Sequence, residues 1–302
     1  MDSLPIWMGV TIALIYGTVV GSFLNVCIYR IPAEESIVFP PSHCPKCNKK
    51  LQTLDLIPLL SFLLLGRKCR YCGTPISWRY FTVELITGLL FVATYLRYGF
   101  GIDFFVYVLF ISALLIAFFV DLDQFIIPDQ VVIFGLVLGV AKDIAHIIAG
   151  DAHLLHVPSS LSEGGLPMLP SVAGAVVCAG VFYMIAYIGY FVFRPRGKAA
   201  EGEEEEEYGG ALGGGDVNLA AAIGAVLGIM PSLVSFFIAV IVGSVVGVAY
   251  LVMKSRADKK GVPWRTEIPF GPHMVTGALA MILISPQLGA LWGAWVRLIT
   301  RS

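Results

Sequence analysis

The chain is 302 residues long, 57% hydrophobic and only 14% charged, with a mean hydropathy of +0.83 and a formal net charge of -1. About a quarter of the residues of a soluble domain are charged, so these values exclude an ordinary soluble chain and point to a multi-spanning membrane protein. The near-zero net charge says little in such a chain, where the placement of Lys and Arg carries the information.

A span needs about 20 apolar residues. On that rule the sequence predicts eight helices, over about 6–29, 80–98, 104–120, 131–150, 169–193, 216–230, 232–253 and 273–296. The first apolar run lacks a basic flank and a small-residue cleavage site, so it reads as a span and not a cleavable signal. The sixth is short and begins at Asp216. The stretch "DLIPLLSFLLLG" (Asp55 to Gly66) is too short to span and contains Pro58; it reads as an interfacial or buried hairpin within the first loop. Cys27 and Cys178 lie in apolar runs and read as packing residues.

The basic residues set the orientation. Sixteen of the 20 fall in the loops after spans one, five and seven, and Arg97, Arg297 and Arg301 fall on the other side. The N-terminus is therefore expected outside and the three basic loops in the cytoplasm. The outer loop Asp151 to Pro170 has no Lys or Arg, which is consistent with translocation. Lys142 lies inside span four beside Asp143 and His146, and snorkelling is its simplest account.

Two CxxC pairs, Cys44/Cys47 and Cys69/Cys72, stand 21 residues apart in the first loop. This spacing suits tetrahedral zinc bound by four thiolates, with no open position, and hence a structural ion. Disulfides are disfavoured on the cytoplasmic side.

Two carboxylate clusters remain. "DLDQFIIPD" (Asp121 to Asp129) follows span three, and "GGGD" (Gly213 to Asp216) opens span six. The orientation puts both at the cytoplasmic membrane edge, as candidates to meet. Asp216 suits a helix N-terminus, but Asp121 lies at a helix C-terminus, where the dipole opposes an anion. Such a pair serves aspartyl proteolysis, one carboxylate ionised and one protonated. It serves a proton-coupled carrier equally. The glycines before Asp216 leave room for an extended substrate backbone.

These residues resemble the type IV prepilin peptidases, or leader peptidase/N-methyltransferases. The resemblance is carried in order by "GSFLNVCIYRIP" (Gly21 to Pro32), the four-cysteine loop with "DLIPLLSFLLLG" and "ISWRYFTVELITG", "DLDQFIIPD", "GGGDVNLAAAIGAVLG" and "EIPFGPHMVTGALA". It implies removal of the basic leader of type IV prepilins or pseudopilins after a glycine, at the cytoplasmic membrane face. Methylation of the new N-terminal residue from S-adenosylmethionine follows in many members.

Motif by motif, the catalytic aspartates become Asp121 and Asp216, with Asp123, Asp129, Gly213, Gly215 and Asn218 accessory. Asn218 stands where the family usually has Lys. No Rossmann glycine fingerprint is present, and the polar residues left for the methyltransferase half are Asn25, Arg30, Asp55 and Glu84, Glu84 first because it should face the cysteine loop. The acidic run "EGEEEEE" (Glu201 to Glu207) can attract a basic leader, although such runs are usually solvated loops.

The expected protein is thus all-α, a polytopic inner-membrane enzyme of about eight helices. Its parts are a first helix (1–30), a zinc loop (31–79) and a membrane aspartic protease domain (80–302), with the bilayer and prepilins as partners and no nucleic acid. A proton-coupled carrier would depend on a proton gradient instead. A non-catalytic secretion-machine scaffold would tolerate loss of both aspartates but not of the cysteines.

Overall fold

The computed structural model of the protein describes residues 5–150, 155–159, 162–193, 213–257 and 269–284. In chain order the helices are α1 (Ile6–Arg30), α2 (Leu60–Leu64), α3 (Trp78–Tyr98), α4 (Ile102–Gln124), α5 (Asp129–Ala149), α6 (Pro170–Phe193), α7 (Gly214–Leu227), α8 (Ile229–Ala257) and α9 (Gly271–Ile284). Six of these, α1, α3, α4, α5, α6 and α8, are long and apolar enough to cross a membrane, while α7 and α9 are apolar but shorter. Each predicted span thus has its helix, the eighth described only as far as Ile284. An antiparallel hairpin joins α5 to α6, formed by β1 (Leu155–Ser159) and β2 (Ser162–Met168). The sequence reads here as an outer loop, because its Gly, Ser and Pro residues carry no sustained alternating apolar pattern.

The chain divides into two units, Met1–Asp123 and Gln124–Ser302. The division falls within the stretch 80–302.

In the first unit α1 lies antiparallel against α3 along a ridge of small residues. Gly9, Ala13, Gly17 and Gly21 recur every fourth position and so share one face. A Cβ on Gly17 would sit 2.8 Å from the Gly88 Cα, and one on Gly21 2.8 Å from the Glu84 Cα. Small residues let helix backbones approach in lipid, where no water drives association and packing must supply the attraction. α4 follows α3 through Gly99, whose φ of 63° closes that helix. Tyr98 and Tyr107 pack with ring centroids 4.8 Å apart.

In the second unit α7 lies between α5 and α6. Gly174 and Gly224 meet backbone to backbone: a Cβ on either would fall 2.0 to 2.3 Å from the other's carbonyl oxygen. On the other flank a Cβ on Gly139 would fall 2.6 Å from the Ala225 oxygen. Seven of the fourteen α7 residues are buried, among them Leu219, Ile223 and Val226. Two adjacent charges of α5 serve the ends of its neighbours. The Lys142 ammonium donates to the Val226 carbonyl in the last turn of α7, and the Asp143 carboxylate accepts from the Ser171 amide in the first turn of α6 (2.8 Å). Each charge has the sign its helix end favours. Lys142 is therefore a helix-end partner and does not snorkel. α9 packs on α8, where a Cβ on Gly277 would meet the Ser235 oxygen at 2.1 Å. Cys27 and Cys178 are buried, as packing residues should be.

Gly224→Val should destabilise the protein by at least about 1–3 kcal/mol, because the obstacle is backbone and cannot rotate away. Gly180→Ala, which faces open space among the described residues, should be neutral or stabilising by up to about 1 kcal/mol. Thermal unfolding in detergent checks both, and equal effects would refute this packing.

Candidate active site and metal loop

The four-cysteine loop is two copies of one turn. In the first, the Cys44 amide donates to the Lys49 carbonyl (3.0 Å), the Asn48 amide to Cys44 (2.8 Å) and the Leu51 amide to Ser42 (2.9 Å). In the second, the Cys69 amide donates to Thr74 (2.8 Å), Gly73 to Cys69 (2.9 Å) and Ile76 to Arg67 (2.8 Å). After the second cysteine each turn needs a left-handed residue, and Asn48 (φ 53°) and Gly73 (φ 70°) supply it.

The two turns bring the sulfurs of Cys44, Cys47, Cys69 and Cys72 within 4.8 Å of one another, Cys44 and Cys72 being 3.8 Å apart. Four thiolates at about 2.3 Å from one central ion would stand about 3.8 Å apart, so the donors fit a metal ion. The surroundings shift their acidities in opposite directions. Hydrogen bonds from the Cys47 and Lys46 amides lower the Cys44 thiol, and those of Thr74 lower Cys72 to about 6. At Cys47 the Lys49 amide favours the thiolate, but desolvation and the neighbouring sulfurs push the thiol up to about 11. A cation held among the four sulfurs would remove that conflict.

The polar residues around the loop tie it to the helices. Asp55, its side chain 3% exposed, accepts from Arg70 Nε (2.6 Å), the Tyr71 hydroxyl (3.1 Å) and the Gln52 amide (3.1 Å). Arg70 and Tyr71 are the two residues between Cys69 and Cys72, so Asp55 grips the second turn. The "DLIPLL" segment is a 3-10 turn (Thr53–Leu56) leading into α2, with Leu59 at φ 60° between them. Glu84 of α3 accepts the Leu59 amide (2.8 Å), steadying that strained residue. Asn25 Nδ2 donates to the Tyr80 carbonyl (3.2 Å), joining α1 to the start of α3, and Arg30 donates to Ser36 (2.9 Å). Asn25, Arg30 and Glu84 are all buried.

Asp121 is buried, 6% exposed, in the last turn of α4. Asp123 is exposed and paired with Arg79, which also donates to the Phe119 carbonyl (3.4 Å). In the second unit Asp129 is exposed in the first turn of α5, where an anion is favoured. Asp216 lies half-buried in the first turn of α7, its amide bonded to the Gly213 carbonyl (3.1 Å), and Asn218 is exposed two residues on.

A Cβ on Gly215 would sit 3.3 Å from the Ile127 Cβ. The third glycine therefore makes room for the segment between "DLD" and Asp129. The acidic run 201–207 lies outside the described residues. Sequence reasoning missed Arg79, Ile127 and the helix-end role of Lys142; only Arg79, in "SWRYF" beside the second turn, carried a visible signal.

Although burial opposes ionisation of Asp55, the hydrogen bonds from Gln52, Arg70 and Tyr71 outweigh it and hold the carboxyl below its ordinary range. A lowered folded-state value stabilises above the unfolded pKa of about 3.9 and is lost as pH falls through the folded value. Asp55→Asn should therefore unfold at lower temperature than wild type near pH 7, with the gap closing as the pH drops below about 4. A gap independent of pH would contradict this.

Residues 15–98 match the family described as "Bacterial Peptidase A24 N-terminal domain", and residues 108–248 the "Type IV leader peptidase family". The "Prepilin leader peptidase/N-methyltransferase" of Myxococcus xanthus is 31% identical, covering 95% of this chain and 94% of its own. That of Bacillus subtilis is 32% identical over 92% and 95%. The "Type 4 prepilin-like proteins leader peptide-processing enzyme" of Escherichia coli is 31% identical over 90% and 93%. No solved structure matches the chain.

Proposed function

Since the chain belongs to the type IV leader peptidase family, we propose that Asp121 and Asp216 form the aspartate pair with which it cuts prepilins at the cytoplasmic face of the inner membrane. It is a multi-pass membrane leader peptidase and N-methyltransferase. The observation that carries the assignment is Asp216 itself. It opens a short, buried helix behind three glycines, and Gly215 seats Ile127 of the other aspartate motif.

In the proposed reaction one carboxylate takes a proton from water as the water oxygen attacks the carbonyl carbon of the last leader residue, the glycine. The other, protonated because two neighbouring carboxylates do not both ionise, donates to the carbonyl oxygen. Collapse of the tetrahedral intermediate breaks the C–N bond, and a proton passes to the departing amine. Gly213 and Gly215 keep side chains away from an extended substrate. Asp123, Asp129 and Asn218 act as accessories around the pair. A prepilin or pseudopilin suits the site because its apolar helix lies in the bilayer and its basic leader in the cytoplasm, so that the scissile bond falls at the interface.

Zinc is the proposed occupant of Cys44, Cys47, Cys69 and Cys72. Four thiolates close its coordination, so it would shape the loop and take no part in the reaction. S-adenosylmethionine is the proposed methyl donor and would supply the methyl group to the freed amine. Asn25, Arg30, Asp55 and Glu84 bond within the chain. That engagement supports a role for them in positioning the loop.

Asp121→Asn and Asp216→Asn should each lower cleavage of a purified prepilin in detergent by at least about 10³-fold, with the fold intact and no proton gradient present. Full cleavage by either would remove that residue from the mechanism, and a wild type inactive without a gradient would favour a carrier. Mass analysis of the wild-type product should also show the gain of one methyl group. Glu84→Ala, which frees Leu59, should depress methylation more than tenfold yet leave cleavage within about threefold. Unaltered methylation would withdraw Glu84 from that half of the enzyme.

A further inference from the structure

We propose that Arg79 is a positioning residue for Asp121, a splint between the exit of the four-cysteine loop and the last turn of α4. The inference rests on the reading of Asp121 as catalytic.

The base of the Arg79 side chain is fixed. The preceding Ile76 amide closes the second cysteine turn on Arg67 (2.8 Å), and the Ser77 hydroxyl accepts the Arg79 amide (3.3 Å) as the cap of α3. The guanidinium then reaches α4 at two places. It pairs with Asp123, donates to the Phe119 carbonyl (3.4 Å), and lies 5.3 Å over the centroid of the Phe119 ring.

Phe119 and Asp123 lie two residues before and two after Asp121. At 3.6 residues per turn they share one helix face, four positions apart, and Asp121 points from the opposite face. The fork therefore clamps the turn from behind. Helix ends fray when nothing holds them, and this end carries the negative pole of the dipole together with two carboxylates. A guanidinium there offsets both, and its rigid fork sets the turn in a way that a lysine cannot reproduce. The pair is partly exposed, with side chains 33% and 45% accessible, so its weight falls on geometry more than on stability.

The test is steady-state cleavage of a prepilin by the full-length enzyme in detergent. Arg79→Ala should lower kcat ten- to hundredfold with KM within about threefold, the scale of a misplacement near 1 Å. Arg79→Lys should retain an intermediate kcat. Asp123→Asn should cost less than Arg79→Ala, and the double variant no more than Arg79→Ala alone, because both act through one contact. An unchanged kcat in Arg79→Ala, a loss confined to KM, or additive losses in the double variant would each overturn the inference. Should Arg79→Ala lose bound metal or unfold early, Arg79→Lys and Asp123→Asn decide on the same criteria. Asp121→Asn run alongside separates the two readings. Retained cleavage there refutes Asp121 as catalytic, whereas its inactivity beside a fully active Arg79→Ala refutes only the splint.

Discussion

A helix of fourteen residues rises about 21 Å, short of the roughly 30 Å hydrocarbon core of a bilayer. α7 is such a helix, and the second unit is arranged around the need to enclose it. Backbone groups at its ends cannot be left in lipid. The Lys142 ammonium meets the Val226 carbonyl, and the Ser232 hydroxyl donates to Ile223 (3.2 Å). Glycine contacts on both flanks bring α5 and α6 to the backbone of α7 over its C-terminal turns. Asp216 stands half-buried at the opposite, polar end.

The first unit solves a different problem, the holding of a polar loop that has little core of its own. Among the described residues, the loop's buried apolar side chains are Phe62 and the two cysteines Cys44 and Cys69. Its order comes from two hydrogen-bonded cysteine turns that share one cluster of sulfurs, and from carboxylates aimed at backbone amides and a guanidinium. Asp55 grips the inside of one cysteine turn and Glu84 grips Leu59. Removing either would free part-buried donors, the Tyr71 hydroxyl in one case and the Leu59 amide in the other, and release that part of the loop.

The spans were legible because uninterrupted apolar runs have one structural outcome in lipid, and the cysteine turns because CxxC spacing restricts the donors. Asp121 stood out because a carboxylate at a helix C-terminus contradicts the dipole. The remainder depends on partners distant in sequence. Nothing near Lys142 reveals that its acceptor is 84 residues away on α7, and so it resembled a snorkelling lysine. Asp55 and Glu84 were visible as polar residues out of place, yet their tasks needed the fold of the loop. The ridge Gly9, Ala13, Gly17 and Gly21 was readable as a four-residue repeat and went unread. The β1–β2 hairpin had no periodic signal to read.

The adjacency of Lys142 and Asp143 carries a consequence for biogenesis. A lone charge on α5 would burden its insertion into the bilayer, whereas neighbours of opposite sign enter with no net charge. Neither finds its helix terminus until later segments emerge: Ser171 lies 28 residues beyond Asp143, and Val226 lies 84 beyond Lys142. α5 thus arrives carrying a charge pair whose helix-end partners are still to be made. Its discharge onto α6 and then α7 ties completion of the membrane core to the order in which the chain is synthesised.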